Sequence, residues 1–195
     1  MSENRKAVKK RETYETSVKI ELDLDGEGKG SIDSGLKFFD HMLAQLTKHS
    51  GFDLVVEADG DLEIDEHHTV EDIGITLGEA FLKALGDKKG IARFANNLTP
   101  LDETLVRTVV DISGRPFLHS GLDFSREMVG DLPAEMVEEF LRAFTNHAGL
   151  TLHIDLIRGD NCHHQIEAVF KSLALVLKDA VEVGSKKIPS TKGKI

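Results

Sequence analysis

Polar and apolar residues alternate from Thr13 to Leu24 (TYETSVKIELDL), the period of a strand with one covered face. Gly26, Gly28 and Gly30 then mark a turn into a second, weaker strand near Ser31. From Phe38 to Lys48 (FFDHMLAQLTK) the apolar spacing becomes helical, and Gly51 closes that helix. Alternation returns from Phe52 to Ala58 (FDLVVEA), and a longer helix is expected from Asp65 to Leu85. The first half thus reads β-β-α-β-α. The second half runs through the same order, with a strand from Glu103 to Ser113 (ETLVRTVVDIS), a candidate strand from Pro116 to Leu122 and a helix from Pro133 to His147.

The halves agree in register as well as order. His49-Ser50-Gly51-Phe52-Asp53-Leu54 is matched by His147-Ala148-Gly149-Leu150-Thr151-Leu152, an offset of 98, and Glu103-Thr104 echoes Glu12-Thr13. A two-residue shortening before the next helix changes the offset to 96. Such agreement marks an internal duplication. The expected fold class is α+β, built from a duplicated β-β-α-β-α half. Residues 1–90 form one half, 91–185 the other and 186–195 a basic tail, together one compact catalytic unit.

At the 96-residue offset a short motif recurs: His67-His68-Thr69-Val70-Glu71 and His163-His164-Gln165-Ile166-Glu167. On a helix, residues four apart share a face while neighbours diverge by about 100°. His67 with Glu71, and His163 with Glu167, can each grip one ion, whereas His68 and His164 point elsewhere. A cross-supply follows: one site takes His67, Glu71 and His164, its mate His163, Glu167 and His68. One copy alone could be a solvated helix start; two copies inside a repeat point to metal. The offset of 98 carries His41 onto Glu139, giving each site a further possible ligand from the middle helix. Both could equally be exposed helical polar residues. His49 and His147 fall at helix C-terminal ends, where a cationic imidazole suits the dipole. His119 and His153 lie on strand patterns without partners. Cys162, the lone cysteine, reads as a small packing residue rather than a thiolate ligand.

Nitrogen and oxygen donors without assured sulfur suit Mn, Fe, Co, Ni or Zn, and seven or eight ligands for two ions leave open positions for substrate. The formal charge of −10 argues against nucleic acid or an anionic membrane surface as partner. No apolar run approaches the roughly 18 residues of a membrane helix and no signal sequence is apparent, so a cytoplasmic location is expected. Against this acidic background the C-terminal stretch from Gly184 to Lys194 is basic and rich in hydroxyls. Arg93, Arg115 and Lys171 could join it around a phosphate; a solvated tail is the plainer alternative.

The chain resembles the imidazoleglycerol-phosphate dehydratase family through FFDHMLAQLTKHSGFDL, DEHHTVEDIGITLGEA, KGIARF, PLDETLV, DISGRPFL, AGLTLHI, NCHHQIEAVFKSLALVL and IPSTKG, in family order along nearly its whole length. The resemblance implies a fold like the second domain of ribosomal protein S5 and a 24-subunit shell with active sites between subunits. It implies a lyase of histidine biosynthesis that converts D-erythro-imidazole-glycerol 3-phosphate to imidazole-acetol phosphate. Two Mn(II) ions per active site, a metal-bound imidazolate and a diazafulvene intermediate come with it. Carried over by position, His41, His67, His68, Glu71, His163, His164 and Glu167 match its metal ligands. Gln45, Arg93, Arg115, Lys171, Ser190 and Lys192 match residues that hold substrate. Glu15 falls near the acid-base glutamate, and Glu71 and Glu167 complete the carboxylates expected at the reaction centre. Many members carry His where this chain has Glu139, a change that keeps ligation possible and adds negative charge. The residues alone also admit a dinuclear hydrolase or a non-catalytic assembly stapled by metal.

Overall fold

The computed structural model describes residues 5–185 and 187–193; Lys186 and Lys194 of the basic stretch lie outside the described residues. The first half comprises β1 (Lys6–Glu12), β2 (Thr16–Asp23), β3 (Gly30–Asp33), α1 (Lys37–Ser50), β4 (Asp53–Gly60) and α2 (His67–Leu85). The second comprises β5 (Phe94–Leu101), β6 (Thr104–Asp111), β7 (Phe117–Gly121), a small hairpin of β8 (Met128–Val129) and β9 (Leu132–Pro133), α3 (Glu135–Ala148), β10 (Thr151–Arg158) and α4 (Cys162–Val181). The duplicated β-β-α-β-α order is present, and each half carries one strand more at its start.

Those extra strands, β1 and β5, pair antiparallel with β2 and β6 at the edges of two sheets ordered β1-β2-β4-β3 and β5-β6-β10-β7. Each sheet covers its apolar face with helices. Alternating Val18, Ile20 and Leu22 on β2 and Val106 and Val110 on β6 are buried. α2 packs on β1, β2 and β4; α4 packs on β5, β6 and β10. The helices meet in two close pairs, α2 with α3 and α1 with α4, so the partner of each long helix comes from the other half. Phe39, Phe140 and Phe170 cluster where the pairs adjoin, at ring centroid separations of 5.4 to 6.3 Å, Phe140 stacked on Phe170 and Phe39 edge-on to both.

Strand pairing corrects one register. Asp23 of β2 pairs with Asp53, and Asp111 of β6 pairs with Thr151. Because Asp53 and Thr151 are equivalent at the offset of 98, Asp23 corresponds to Asp111, an offset of 88. Glu103-Thr104 is therefore the counterpart of Glu15-Thr16, not of Glu12-Thr13. The dipeptide occurs twice in RETYETS, and only backbone pairing separates the copies.

Both middle helices end on glycine in the left-handed region, Gly51 at φ 77° and Gly149 at φ 66°, as the repeat implies. The start of α1 is capped from the other half. Asp131, in the turn of the β8–β9 hairpin, accepts from the backbone N–H groups of Lys37 and Phe38 at 2.6 and 2.9 Å.

Candidate metal centre

The two long helices begin on the repeated motif, so their opening turns project imidazole and carboxylate from one face. Each face meets the middle helix paired with it. His163 and Glu167 of α4 lie beside His41 of α1, while His67 and Glu71 of α2 lie beside Glu139 of α3. In each triad the donor atoms all fall within 4.8 Å of one another. Glu167 Oε2 is 3.1 Å from His163 Nε2 and 3.4 Å from His41 Nε2. Ligand bonds of about 2.0–2.2 Å put adjacent donors about 3 Å apart and opposed donors a little over 4 Å apart. The triads have the dimensions and donor chemistry to hold divalent ions.

Within this one chain the expected cross-supply does not form. His164 does not join His67 and Glu71, nor does His68 join His163 and Glu167; the third member comes from the helix packed alongside, as His41 or Glu139. His68 and His164 turn away because adjacent helical positions diverge. His68 Nδ1 lies 3.1 and 3.2 Å from the Asp61 carboxylate oxygens, and its Nε2 lies 3.7 Å from Glu15. His164 Nδ1 donates to Glu103 Oε2 at 2.9 Å. The Asp61 bond raises the His68 pKa, and the Glu103 bond raises that of His164. Reciprocally, the His164 hydrogen bond, with N–H donation from Asn161, takes the Glu103 carboxyl down to about 2. Burial pushes the Glu167 carboxyl up, yet the Lys171 bond, His163 and His41 outweigh it and leave it below its ordinary value.

Lys171, expected to meet phosphate, donates to Glu167 Oε1 at 2.7 Å, one helical turn away. Gln45 Oε1 lies 3.2 Å from His49 Nε2. His49 is not the cationic cap its position suggests. Burial lowers its pKa, Lys171 lowers it further, and the charge of Glu167 is also felt there, which sets His49 beside the α1–α4 triad. Its spacing of four from Gln45 and of eight from His41 was the available signal. His147 behaves as a helix-end residue, with Nδ1 2.9 Å from the Ala143 carbonyl oxygen.

Arg93 has φ 74° and grips Asp111 through Nε at 2.7 Å and Nη2 at 3.2 Å, while Nη1 donates to the Pro189 carbonyl at 2.8 Å. That bond ties the segment bearing Ser190 and Lys192 to the second sheet. Arg115 is exposed and has no ion pair among the described residues. His119 and His153 are not without partners: their rings lie 5.4 Å apart on adjacent strands, with Asp155 3.5 Å from His119. Cys162 is buried, and burial raises its thiol pKa, which opposes a thiolate ligand.

A family model described as imidazoleglycerol-phosphate dehydratase matches residues 34–177, a span that holds both triads. The chain belongs to the imidazoleglycerol-phosphate dehydratase family. A member from Methylibium petroleiphilum is 54% identical over 195 residues, covering 98% of each chain. One from Thermoanaerobacter pseudethanolicus is 56% identical over 191 residues, covering 97% of this chain and 98% of its own. The crystal structure of imidazoleglycerol-phosphate dehydratase from Staphylococcus aureus superposes with a TM-score of 0.84 at 44% identity, over 92% of this chain and 99% of that one. IGPD from Pyrococcus furiosus gives 0.83 at 34% identity, over 96% and 100%. The duplicated α+β architecture is therefore the fold of the dehydratase family.

Proposed function

We propose that this protein dehydrates D-erythro-imidazole-glycerol 3-phosphate to imidazole-acetol phosphate in histidine biosynthesis, using two Mn(II) ions per active site. The observation that carries the reading is the pair of equivalent triads, His41·His163·Glu167 and His67·Glu71·Glu139, in a chain of the dehydratase family. When bound, Mn(II) supplies Lewis acidity that favours the deprotonated substrate imidazole.

The protein's part is to hold and to shuttle. The substrate proton to be lost sits on a carbon bearing hydroxyl and is not acidic, so its removal follows departure of hydroxide from the neighbouring carbon. Glu15, 3.7 Å from His68 Nε2, is assigned the transfer of that proton, with Glu71 and Glu167 each anchoring one triad. Gln45, Arg93, Arg115, Lys171, Ser190 and Lys192 supply the cations and hydrogen-bond donors that fix the phosphate end. Remote binding of this kind orients the reacting carbons. Residues 1–90 and 91–185 contribute one triad-bearing long helix each, and the tail from 186 serves the phosphate side.

Three donors per triad leave His68 and His164 for sites completed by other copies, which supports a self-assembled shell of 24 subunits. The outer face of β5-β6-β10-β7 supports association too, since it exposes Phe94 (60%), Leu98 (60%) and Phe117 (54%). The corresponding face of β1-β2-β4-β3 carries paired charges such as Lys6 with Asp23 and Lys19 with Glu21 and Glu57. No described helix is long and apolar enough to cross a membrane, and the biosynthetic role suits the cytoplasm.

Incubation with Mn(II) and imidazole-glycerol phosphate tests the reading: the enolisable ketone is expected. Phosphate release would instead support a dinuclear hydrolase, and neither product with metal-dependent assembly would support a structural role. His67→Ala is expected to abolish turnover and lower bound metal, whereas Lys192→Ala mainly raises KM.

A further inference from the structure

His68 and His164 occupy equivalent positions, and each has a carboxylate on Nδ1, yet the two carboxylates are not equivalent. Asp61 comes from the loop that follows β4. Glu103 comes from the turn between β5 and β6. The counterpart of Glu103 is Glu15, which faces the other nitrogen of His68. In the second half the loop before α4 is cut short: Asn161 caps the helix directly, accepting from the N–H groups of His163 and His164. Asp160, next to it, places its backbone N–H on Glu103 rather than its carboxylate on His164. The two halves therefore reach the same contact with residues of different origin. Inheritance from a common half does not account for that convergence; a requirement on the imidazole does.

We propose that Asp61 and Glu103 are positioning residues that hold the proton of His68 and His164 on Nδ1 and so present a bare Nε2 as a metal donor. This inference rests on the proposed metal-dependent reading. An ionised carboxylate only accepts, so the bonded Nδ1 must carry hydrogen, and in a neutral ring the lone pair is left on Nε2. On His164, the nearest ion-pair partner of Nε2 among the described residues is the Asp102 carboxylate, 3.9 Å away. Glu15, with no Nδ1 to hold, remains free for proton transfer.

Glu103→Gln separates this role from a structural one. Oε1 of Glu103 receives Asn161 N–H at 2.9 Å, Asp160 N–H at 3.3 Å and the Thr104 hydroxyl at 3.2 Å. Three donors there oblige a glutamine to keep its carbonyl oxygen in place and turn its NH2 toward Nδ1. That NH2 donates, moves the ring proton to Nε2 and blocks the donor. Mn(II) affinity, read from free Mn(II) by electron paramagnetic resonance in a titration, is expected to weaken about 10- to 100-fold. The metal-free melting temperature is expected to fall as well, because the variant gives up the charge-assisted bond that holds the Glu103 carboxyl down to about 2, so the role is read from Mn(II) affinity measured well below the melting range. Asp61→Asn, whose carbonyl can rotate onto Nδ1, keeps the affinity that Asp61→Ala loses. Parental affinity in Glu103→Gln overturns the inference, and so does an equal loss of affinity in Asp61→Asn and Asp61→Ala. A parent protein that binds no Mn(II) overturns the metal reading itself, and this inference with it.

Discussion

At the scale of the residue, the chemistry was legible wherever side-chain type and helical spacing suffice. His67, Glu71, His163 and Glu167 share faces because four residues make roughly one turn, whatever surrounds them. Partners contributed by distant segments were not legible. Nothing local ties Glu103 to His164, 61 positions away, or Asp111 to Arg93 across a turn. The same holds for Asp53, whose Oδ1 accepts from the backbone N–H groups of Glu27 and Lys29, both at 2.9 Å, and pins the glycine turn onto β4. Those bonds hold its pKa below the ordinary 3.8. A carboxyl depressed in the folded state contributes stability that is complete above its unfolded pKa and disappears as pH falls through the folded one. Asp53→Asn keeps an acceptor oxygen but cannot titrate. Its melting temperature is therefore expected to fall less steeply than the parent's as metal-free protein is taken from pH 5 to pH 2. Parallel curves for the two proteins would show that the turn draws nothing from the ionised carboxylate. Asp25, depressed by its hydrogen bond to Arg5, leaves part of the acid dependence in place in either protein.

At the scale of the element, periodicity located three of the helices and the strands that alternate cleanly, and the repeated motif implied the fourth helix. β1 was hidden because its one outward apolar residue, Val8, stands among Lys6, Lys10 and Glu12, and its inward side offers little beyond Ala7. β5 was hidden because FANNLTPL buries almost nothing and ends beside a proline, as edge strands do. Nor does a sequence pattern state which helices pair. Gly74 makes the α2–α3 pairing intelligible: a Cβ built there would lie 2.8 Å from Ala143 Cβ and 3.0 Å from the Phe140 carbonyl oxygen. Glu71 lies one turn before Gly74, and Glu139 directly precedes Phe140, so the close approach at this glycine also sets the width of the His67·Glu71·Glu139 triad. Gly74→Ala gains up to about 1 kcal/mol of helix propensity but overpacks a contact that costs about 1–3 kcal/mol. The contact wins because its neighbours are backbone and a methyl group without rotamers. Calorimetry is expected to show a lower melting temperature, and Mn(II) titration a weaker site on α2. A variant as stable as the parent would mean that the two helices part freely.

At the scale of the molecule, duplication makes two long helices that each need a partner, and crossing the halves supplies both. That exchange converts one repeated motif into two triads of unlike charge. The α1–α4 triad offers two imidazoles and one carboxylate, while the α2–α3 triad offers one imidazole and two carboxylates. Before an ion arrives, the second triad gathers negative charge in a chain that already carries −10, so the metal-free protein bears an electrostatic strain that a divalent cation relieves. Arg142, with Nε 3.6 Å from Glu139, relieves only part of it, because the same guanidinium is also committed to Glu138. A ligand present at about 100 times its dissociation constant stabilises the folded state by about 2.7 kcal/mol per site. For chains of this size each kcal/mol moves the melting temperature by about 2–4 °C. Removing metal with a chelator is therefore expected to lower the midpoint by at least about 5 °C, and Mn(II) is expected to restore it. Glu139→Gln in the metal-free state should melt above the metal-free parent, since one of the crowded charges is gone. The same variant should gain less from Mn(II), having lost an anionic donor. If the metal-free variant melts no higher than its parent, the crowded carboxylates are not the strain that the ion relieves.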